Sequence, residues 1–505
     1  MIQIEQFIAE LHKSISLFMP ETALLITFIL ALLFDVIFKK IKNISAYIAL
    51  LGFIVTAILL SCNYSTQFSA FSKLLVIDPF AVFFKYIILL SSFLVILISF
   101  FSKELYTESK SVGEYYSLIV GMTFGMFLLA GSSNMLMIYL SIEIMSLSSY
   151  VLAGYTKEIK RASEASLKYV IFGAVSSGLM IYGISILYGL TGHLNLSDIN
   201  LFLSQNEVAV VPLLIASLMI VAGIGYKISV VPFHFWTPDV YEGAPITITA
   251  YLSVASKAAG FAVLIRFLKT GFVSYIPSEG SAWILLNSID WSYVIAVLSV
   301  ITMTLGNLVA IWQTNLKRLL AYSSIAHAGY ILMGVVVLND IGVASVLIYF
   351  VMYLFMNLGA FFVIMLLANK IGSEELSDYT GIGYRAPILG VCMVLFLISL
   401  TGLPPTAGFI GKLYVFSAVL NAGDKWMWLL VAGILNSVVS LYYYVKIFRN
   451  MFVKGLDQSG KEQFEFHPLS YVILFLLAIP TLLFGVYFSP IVDWANKSVA
   501  IFIGN

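Results

Sequence analysis

Cysteine, charge and the signatures of cofactor sites are all scarce in this 505-residue chain. Cys62 and Cys392 are the only cysteines, and both lie in or beside apolar stretches. Two distant cysteines encode neither a disulfide framework nor an iron–sulfur cluster. The glycine-rich pieces around Gly223 and Gly381 lack the further glycine and the strand–turn–helix context of a dinucleotide site. We therefore expect no nucleotide, redox or metal cofactor in this chain.

Charged residues make up only 10% of the chain, whereas 61% are hydrophobic and the mean hydropathy is +0.99. Apolar runs of about 17–25 residues, long enough to cross a bilayer, recur from end to end. Backbone groups in lipid must be satisfied within their own segment, and the alternating pattern of barrel strands is missing. The predicted class is an all-α integral membrane protein with about fourteen transmembrane helices. The predicted spans lie near 17–38, 44–62, 78–101, 115–131, 134–155, 164–190, 211–235, 247–269, 292–312, 318–338, 344–369, 388–420, 426–449 and 469–490.

Lysine and arginine are distributed unevenly between the two sides of this predicted bundle. One side carries Lys39, Lys40, Lys42, Lys103, Lys110, Lys157, Lys160, Arg161, Lys317, Arg318, Lys370, Arg385, Lys446, Arg449, Lys454 and Lys461. The other side carries Lys13, Lys73, Lys269, Lys425 and Lys497. Because cytoplasmic loops hold the positive excess, both termini are predicted to lie outside the cytoplasm.

Five titratable residues lie well inside predicted spans: Glu143, Lys227, Lys257, His327 and Lys412. A charge at mid-membrane costs roughly 2.5–3.5 kcal/mol even on mild insertion scales, so several in one chain indicate a path for protons or ions. The imidazole of His327 can accept and donate protons near physiological pH. A structural alternative remains open for each residue. Glu143 could bond a neighbouring helix, Lys227 could lie beside a plain proline kink, and Lys257 could be a structural lysine. His327 could be a packing residue, and Lys412 could extend its side chain to the membrane surface.

Charges nearer the span ends form a second group. Lys168 follows Glu164 by four residues, so the two side chains share a helix face and lie near the predicted cytoplasmic end. They are either a proton-uptake site or a plain ion pair. His234 is interpreted as a bridging group or a loop residue. Lys85 and Arg266 lie within two turns of span ends, where snorkelling to the interface is the expected explanation.

Two predicted spans, the seventh and the twelfth, are interrupted by proline. Pro232 follows Lys227 by five residues, and Pro404 and Pro405 come shortly before Lys412. Proline removes a backbone hydrogen bond and bends or breaks a helix. Paired interruptions in corresponding halves indicate a transporter's ion site, with a plain proline kink as the alternative.

Aligning the two broken spans predicts a repeat of five helices, with spans four to eight corresponding to spans nine to thirteen. A weak similarity between residues 162–169 and 316–324 adds to this interpretation. Five crossings would insert the second copy upside down, as in many transporters. The predicted divisions are an N-terminal three-helix segment at 1–110, a first antiporter-like repeat at 111–270, a second, inverted repeat at 271–450 and a C-terminal helix at 451–505.

Several motifs make a resemblance specific: Ile142–Ser146, Ser163–Tyr169, Gly225–Pro245, Ala255–Lys257, Lys317–His327 and Gly408–Lys412. Over roughly residues 15–490, the chain closely resembles the subunit N family of bacterial NADH–quinone oxidoreductase, respiratory complex I. The resemblance implies fourteen helices, kinship with Mrp-type cation/proton antiporter subunits and a proton channel in the membrane arm. It implies that Glu143 is the essential glutamate, that Lys227 pairs with it, and that Lys257 and Lys412 are the other conducting lysines.

The function implied by the resemblance is proton translocation, driven by quinone reduction in neighbouring subunits of the same enzyme. FMN, iron–sulfur clusters and quinone are then expected in partner subunits. The expected partners are M-like and K-like membrane subunits and lipid, in a hetero-oligomer, and no nucleic acid is expected. The expected location is the bacterial inner membrane, with both termini of the N subunit in the periplasm. A stand-alone or Mrp-type cation/proton antiporter, and a membrane spacer with a vestigial polar row, remain alternatives.

Overall fold

A computed structural model describes residues 2–38, 41–106, 112–276, 282–285, 289–454 and 463–499. Four of the basic residues used above to predict orientation, Lys39, Lys40, Lys110 and Lys461, lie outside the described residues.

Helices account for most of the described chain, and thirteen helical runs, one of them the continuous stretch Ile246–Phe272, are long and apolar enough to cross a membrane. In chain order the helices are α1 Ile2–Leu17, α2 Met19–Ile37, α3 Ile44–Cys62, α4 Pro79–Ser99, α5 Gly113–Gly131, α6 Met135–Ala153, α7 Lys160–Thr191, α8 Leu196–Gln205, α9 Val210–Ile228, α10 Trp236–Gly243, α11 Ile246–Tyr251, α12 Lys257–Phe272, α13 Trp291–Trp312, α14 Leu316–Val336, α15 Asp340–Ile371, α16 Ile382–Arg385, α17 Pro387–Thr401, α18 Ala407–Asn421, α19 Met427–Phe448, α20 Pro468–Val486 and α21 Ser489–Val499.

Short elements complete this list. A π-helical turn, Leu252–Ser256, joins α11 to α12, and a second, Arg449–Val453, extends α19. Short 3-10 turns occupy Leu376–Tyr379 and Asp424–Trp426. Two antiparallel hairpins pair β1 Phe68–Ala70 with β2 Leu75–Ile77, and β3 Val273–Ile276 with β4 Ala282–Leu285.

The all-α membrane class is confirmed. Thirteen of the predicted spans coincide with the long apolar helices, and the predicted twelfth span, 388–420, is divided between the shorter helices α17 and α18. The exact number of membrane crossings stays a prediction. The seventh span was predicted too long, since α9 ends at Ile228. Helices α1 and α21 and the two hairpins were not predicted, because their sequences are too short or too polar to show the membrane pattern.

Both predicted breaks are real helix ends with the same local construction. Ser229 has φ 62° and Gly402 has φ 90°, so each lies in the left-handed region. The N–H groups of Val230 and Leu403 then reach back five residues to close the ends of α9 and α17. This is the Schellman type of helix end. The following prolines cannot continue a helix, so each break leaves backbone carbonyls beside its lysine.

Two sets of loop contacts recur along the chain. A bridge pairs Asn134, just before α6, with Asn195, which follows the 32-residue α7. An equivalent bridge pairs Asn315, just before α14, with Glu375, which follows the 32-residue α15. These contacts match α6 with α14 and α7 with α15. The predicted similarity of residues 162–169 with 316–324 relates α7 to α14 instead, and it stays a prediction. The divisions of the chain and the inversion of the repeat stay predictions.

The centre of the bundle is formed by α11 with α12, α14 and α15, which are buried over nearly their whole length. Helices α2, α3, α7, α19 and α20 lie at the periphery and present apolar side chains outward, among them Leu167 and Val175. Such faces suit hydrocarbon and would be costly in water. Three of the predicted site residues, Lys257, His327 and Lys412, thus lie on or beside the most buried helices.

Candidate functional site

Lys227 lies in the last turn of α9, directly before the first break. Its side chain is buried, and its ammonium nitrogen lies 5.4, 5.2 and 5.3 Å from the ring centres of Tyr150, Tyr169 and Tyr226. Within the described parts of the chain, Lys227 Nζ has no hydrogen-bond partner. Aromatic faces attract a cation but do not replace a hydrogen bond. Lys227 is therefore a buried amine whose charged form is only weakly supported.

Glu143 lies on α6, facing α7, and its carboxylate accepts a hydrogen bond from the hydroxyl of Ser177. Glu143 is partly exposed at the outer surface of the chain. No ion pair within 4 Å joins it to Lys227 among the described residues, although Tyr150 lies near both side chains. The carboxylate and the lysine are close enough to interact electrostatically but are not in direct contact.

Lys257 is the first residue of α12 and follows the π-helical turn Leu252–Ser256. Its ammonium donates a 2.7 Å hydrogen bond to the backbone carbonyl of Ser324 on α14. A π turn inside a helix redirects the side chains that follow it and is frequent at functional sites. Lys257 is buried within the protein, so its side chain does not extend to the bilayer surface, and the alternative of a structural lysine stays open.

His327 connects three helices at the centre of the bundle. Its Nδ1 lies 2.7 Å from the hydroxyl of Tyr349 on α15, and its Nε2 lies 3.2 Å from the hydroxyl of Tyr444 on α19. The Tyr444 hydroxyl also lies 2.5 Å from Ser323 Oγ. Both ring nitrogens thus face groups that can donate or accept a proton, so the arrangement is compatible with either neutral tautomer.

Lys412 lies on α18, just after the second break. Its ammonium donates to the carbonyl of Thr401, the last residue of α17, at 2.6 Å, and to Ser437 Oγ at 2.9 Å. The ring of Tyr330 lies 4.6 Å from the same nitrogen. The C-terminal end of a helix carries unpaired carbonyls and partial negative charge. The break in the twelfth predicted span therefore supplies a ligand for the lysine that follows it.

Helix α14 brings Lys257, His327 and Lys412 into one region. Ser324, His327 and Tyr330 follow each other at intervals of three residues and lie along one side of this helix. Ser324 contacts Lys257 and Tyr330 contacts Lys412, with His327 between them. The sequence interpretation missed Ser324, Tyr330, Tyr349 and Tyr444. The three-residue spacing on α14 was the available signal, and nothing local marks the tyrosines of α15 and α19.

The second group of predicted residues forms a separate ionic network at one end of the bundle. Lys168 lies 2.7 Å from Glu164 and 2.7 Å from Asp239 on α10. Asp239 also receives Arg318 of α14 at 2.7 Å, and Arg318 contacts Glu242 at 2.8 Å. Burial alone would raise the pKa of Asp239, but hydrogen bonds from Lys168 and Arg318 outweigh burial and lower it. The predicted Glu164–Lys168 contact is present; its larger network was not predicted.

His234 is buried beyond the first break, where its ring packs 4.6 Å from that of Phe235. Among the residues that the structure describes, no hydrogen bond links His234 to Lys227 or Lys257. The structure therefore does not place His234 as a direct bridge between Lys227 and Lys257.

Snorkelling, predicted for Lys85 and Arg266, is wrong. Lys85 is buried and contacts the buried Glu21 of α2 at 2.5 Å. Arg266 is fully buried and makes a bidentate contact with Asp78, at 2.9 and 3.0 Å. Buried charges persist when a partner of opposite sign neutralises them, and both partners here come from distant parts of the sequence.

Comparison with known proteins places this geometry in a family. The model of the transmembrane region of NADH:quinone oxidoreductase and Mrp antiporter proteins matches residues 132–440, which contain Glu143, Lys227, Lys257, His327 and Lys412. NADH-quinone oxidoreductase subunit N 2 of Chloroherpeton thalassium is 49% identical over 502 residues, covering 99% of this chain and 97% of that protein.

Solved structures show the same fold. A chain of respiratory complex I from Thermus thermophilus with bound aureothin aligns with a TM-score of 0.76 and 26% identity, over 95% of this chain and 100% of that one. A chain of the Mrp complex from Dietzia sp. DQ12-45-1b aligns with a TM-score of 0.77 over 96% and 97% of the two chains, and its 18% identity supports similarity of fold alone. The chain belongs to the NADH:quinone oxidoreductase/Mrp antiporter family of membrane proteins and is similar over nearly its whole length to subunit N proteins.

Proposed function

We propose that this chain is the proton-translocating subunit N of an NADH–quinone oxidoreductase membrane arm. Protons move along Glu143, Lys227, Lys257, His327 and Lys412, and quinone reduction in neighbouring subunits drives the movement. The observation that carries the proposal is the state of Lys227: a buried amine at a helix break, without a hydrogen-bond partner among the described residues, near a carboxylate that is bonded to Ser177 instead.

Glu143 acts as the gate in this mechanism. While its carboxylate is bonded to Ser177, desolvation disfavours the ammonium form of Lys227, and the lysine gives up its proton. When the carboxylate moves towards Lys227, the ammonium form is stabilised and the lysine takes up a proton. Two unit charges 4 Å apart at an effective dielectric constant of 20 interact by about 4 kcal/mol.

This interaction has the size that pumping requires. Moving one charge against ~150–200 mV costs roughly 3.5–4.6 kcal/mol, at about 2.3 kcal/mol per 100 mV. Closing and opening the Glu143–Lys227 contact therefore changes the energy of the loaded lysine by about the amount that one transported proton must gain. The energy for moving the carboxylate comes from outside this chain in the proposed mechanism.

The row continues through groups that can hold a proton without an acidic partner. Lys257 and Lys412 each donate to a backbone carbonyl, of Ser324 and Thr401 respectively. Carbonyl oxygens stabilise an ammonium group less than a carboxylate does, so neither lysine is locked in its charged form. His327, bonded through both nitrogens to tyrosine hydroxyls, lies between them as the relay.

The outer position of Glu143 supports the proposed assembly. Its neighbours on α6 include the outward-facing Leu140 and Leu147, and Val175 is exposed on the adjacent α7. A carboxylate at mid-membrane is costly when it faces lipid. A neighbouring M-like or K-like membrane subunit therefore covers this face. FMN, iron–sulfur clusters and quinone belong to partner subunits, and the assembly lies in the bacterial inner membrane with both termini of this chain in the periplasm.

The test replaces Lys227 by alanine in the complete assembly, reconstituted into liposomes with NADH and quinone. Loss of proton translocation, measured with a pH-sensitive dye, is expected, whereas Lys425→Ala, which removes an exposed lysine paired with Asp290, is expected to retain it. Normal quinone reduction with normal proton yield in Lys227→Ala would refute the proposal. Exchange of Na⁺ or K⁺ for protons by the isolated chain would instead favour the antiporter alternative.

A further inference from the structure

A polar pocket opens at the end of the bundle that carries most of the loop lysines and arginines, here called the basic end. Its volume is about 530 Å³, and it lies between the loop after α4 and the ends of α7, α14 and α15. Its polar and charged lining includes Lys103, Glu104, Arg161, Asn315, Glu374 and Glu375. A smaller pocket of about 160 Å³ beside it contains the Glu164–Lys168–Asp239 network and shares only Arg161 with it.

Glu104 connects the larger pocket to the helix that carries Lys257. Its Oε2 accepts a hydrogen bond of 3.3 Å from the backbone N–H of Ile246, the first residue of α11. The run Ile246–Phe272 is one continuous buried span, in which α11 and the π-helical turn lead directly to Lys257. Glu104 therefore contacts the first residue of the buried span that carries Lys257, a proposed proton carrier, near its middle.

Lys317 forms the adjoining wall and fixes the start of α14. It is 3% exposed, lies 2.8 Å from Glu374 and donates to the carbonyl of Ala244 at 3.0 Å. Burial raises the pKa of the Glu104 carboxyl, the Lys317 ammonium opposes that rise and Glu374 adds to it. The carboxyl of Glu104 can thus bind a proton at a higher pH than an ordinary surface glutamate does.

Buried hydroxyl groups cluster around Ser324, whose carbonyl binds Lys257. Tyr241 is on the last turn of α10 before Ala244, and Ser324 is two turns along α14 from Lys317. The hydroxyls of Tyr241 and Tyr353 lie towards that of Ser324, and none of the three makes a hydrogen bond of ordinary geometry within the described part of the chain. Such groups are costly when dry and are the natural partners of internal water.

We infer that Glu104 is the residue that collects protons from the basic end and passes them, through the hydroxyls of Tyr241, Ser324 and Tyr353, to the amine of Lys257. The proton leaves bulk water, binds the Glu104 carboxylate and is transferred along the hydroxyl groups to the amine, so that Glu104 returns to its anionic form. This inference rests on the proposed function. It differs from uptake at Glu164 and Lys168, which line the smaller pocket.

The pH dependence of this step depends on the charges around Glu104. Those that face it are Lys103 on its own loop, Arg161 of α7, Lys317 of α14, and Glu374 and Glu375 after α15. The control is Glu207→Gln, which removes one exposed carboxylate that does not line this pocket.

The experiment measures proton translocation and quinone reduction by the whole assembly in liposomes between pH 6 and pH 8. Glu104→Gln is expected to lower proton translocation severalfold at pH 8. The deficit is expected to shrink towards pH 6, because uptake by the remaining route rises with proton concentration. Formate, a small weak acid that can enter the pocket and carry protons, is expected to restore part of the rate. Glu207→Gln is expected to behave as the unchanged chain at every pH.

Normal rates for Glu104→Gln at pH 8 would overturn the inference, as would a deficit that neither pH nor formate changes. If Glu104→Gln fails to assemble, Glu104→Asp is measured in the same way, and it must show a smaller deficit with the same pH dependence. Lys257→Ala separates the two proposals. Normal proton translocation by Glu104→Gln together with its loss in Lys257→Ala overturns only the uptake site. Normal proton translocation by both variants overturns the proposed function.

Discussion

Replacing Glu143 by glutamine removes the charge of the proposed gate while keeping a side chain of almost the same shape, able to bond Ser177. A neutral amide cannot provide the roughly 4 kcal/mol that a carboxylate at 4 Å contributes to the ammonium form of Lys227. At 1.36 kcal/mol per factor of ten, the population of loaded lysine in the closed state falls about 10³-fold. We therefore expect proton translocation by Glu143→Gln to fall below the leak rate of the liposomes.

The assay compares Glu143→Gln with Glu207→Gln, which removes an exposed carboxylate from the loop before α9. Both assemblies are reconstituted, and the number of protons moved per quinone reduced is measured with a pH-sensitive dye and an absorbance assay. Glu207→Gln is expected to keep the full yield. The reasoning is refuted if Glu143→Gln keeps more than about a tenth of the proton yield, because the calculated loss is about two orders of magnitude larger.

Two further predictions concern the ionic contacts. Asp78→Asn removes the carboxylate that neutralises Arg266 and is expected to destabilise the chain by about 3–5 kcal/mol. The control Lys425→Ala, which removes an exposed lysine, is expected to cost at most about 1 kcal/mol. Equal thermal midpoints for the two variants would contradict this prediction. Asp239→Asn is expected to lower the thermal midpoint, and the size of that decrease is expected to be constant between pH 8 and pH 5. The lowered pKa of Asp239 gives stability that is complete above the ordinary carboxyl pKa and is lost only below it. A gap that closes by pH 5 would refute the assignment.

Local sequence signals located part of the site. Lys227 and Lys412 were placed beside helix breaks because glycine and proline act on the backbone next to them, whatever the rest of the fold does. The contact of Glu164 with Lys168 followed from the four-residue spacing on one helix. Predictions of this kind need only the few residues around each position, which explains why the structure bears them out.

The partners of the buried charges could not be predicted in the same way. Snorkelling was the wrong interpretation of Arg266 because its partner Asp78 lies almost two hundred positions earlier in the chain. Two of the tyrosines around Lys227 come from α6 and α7, and His327 depends on tyrosines of α15 and α19. These contacts exist only after helices distant in sequence have packed, so no local pattern specifies them.

The sequence by itself determined the membrane class, most helix positions and the two breaks, because hydrocarbon requires every span to satisfy its own backbone. Only the tertiary structure decided which buried charges are neutralised and which remain available for transfer. Arg266 and Lys85 meet carboxylates, whereas Lys257 and Lys412 meet backbone carbonyls and Lys227 meets aromatic rings. The energy of a buried charge depends on the groups within a few ångströms of it, and helix packing alone brings those groups together.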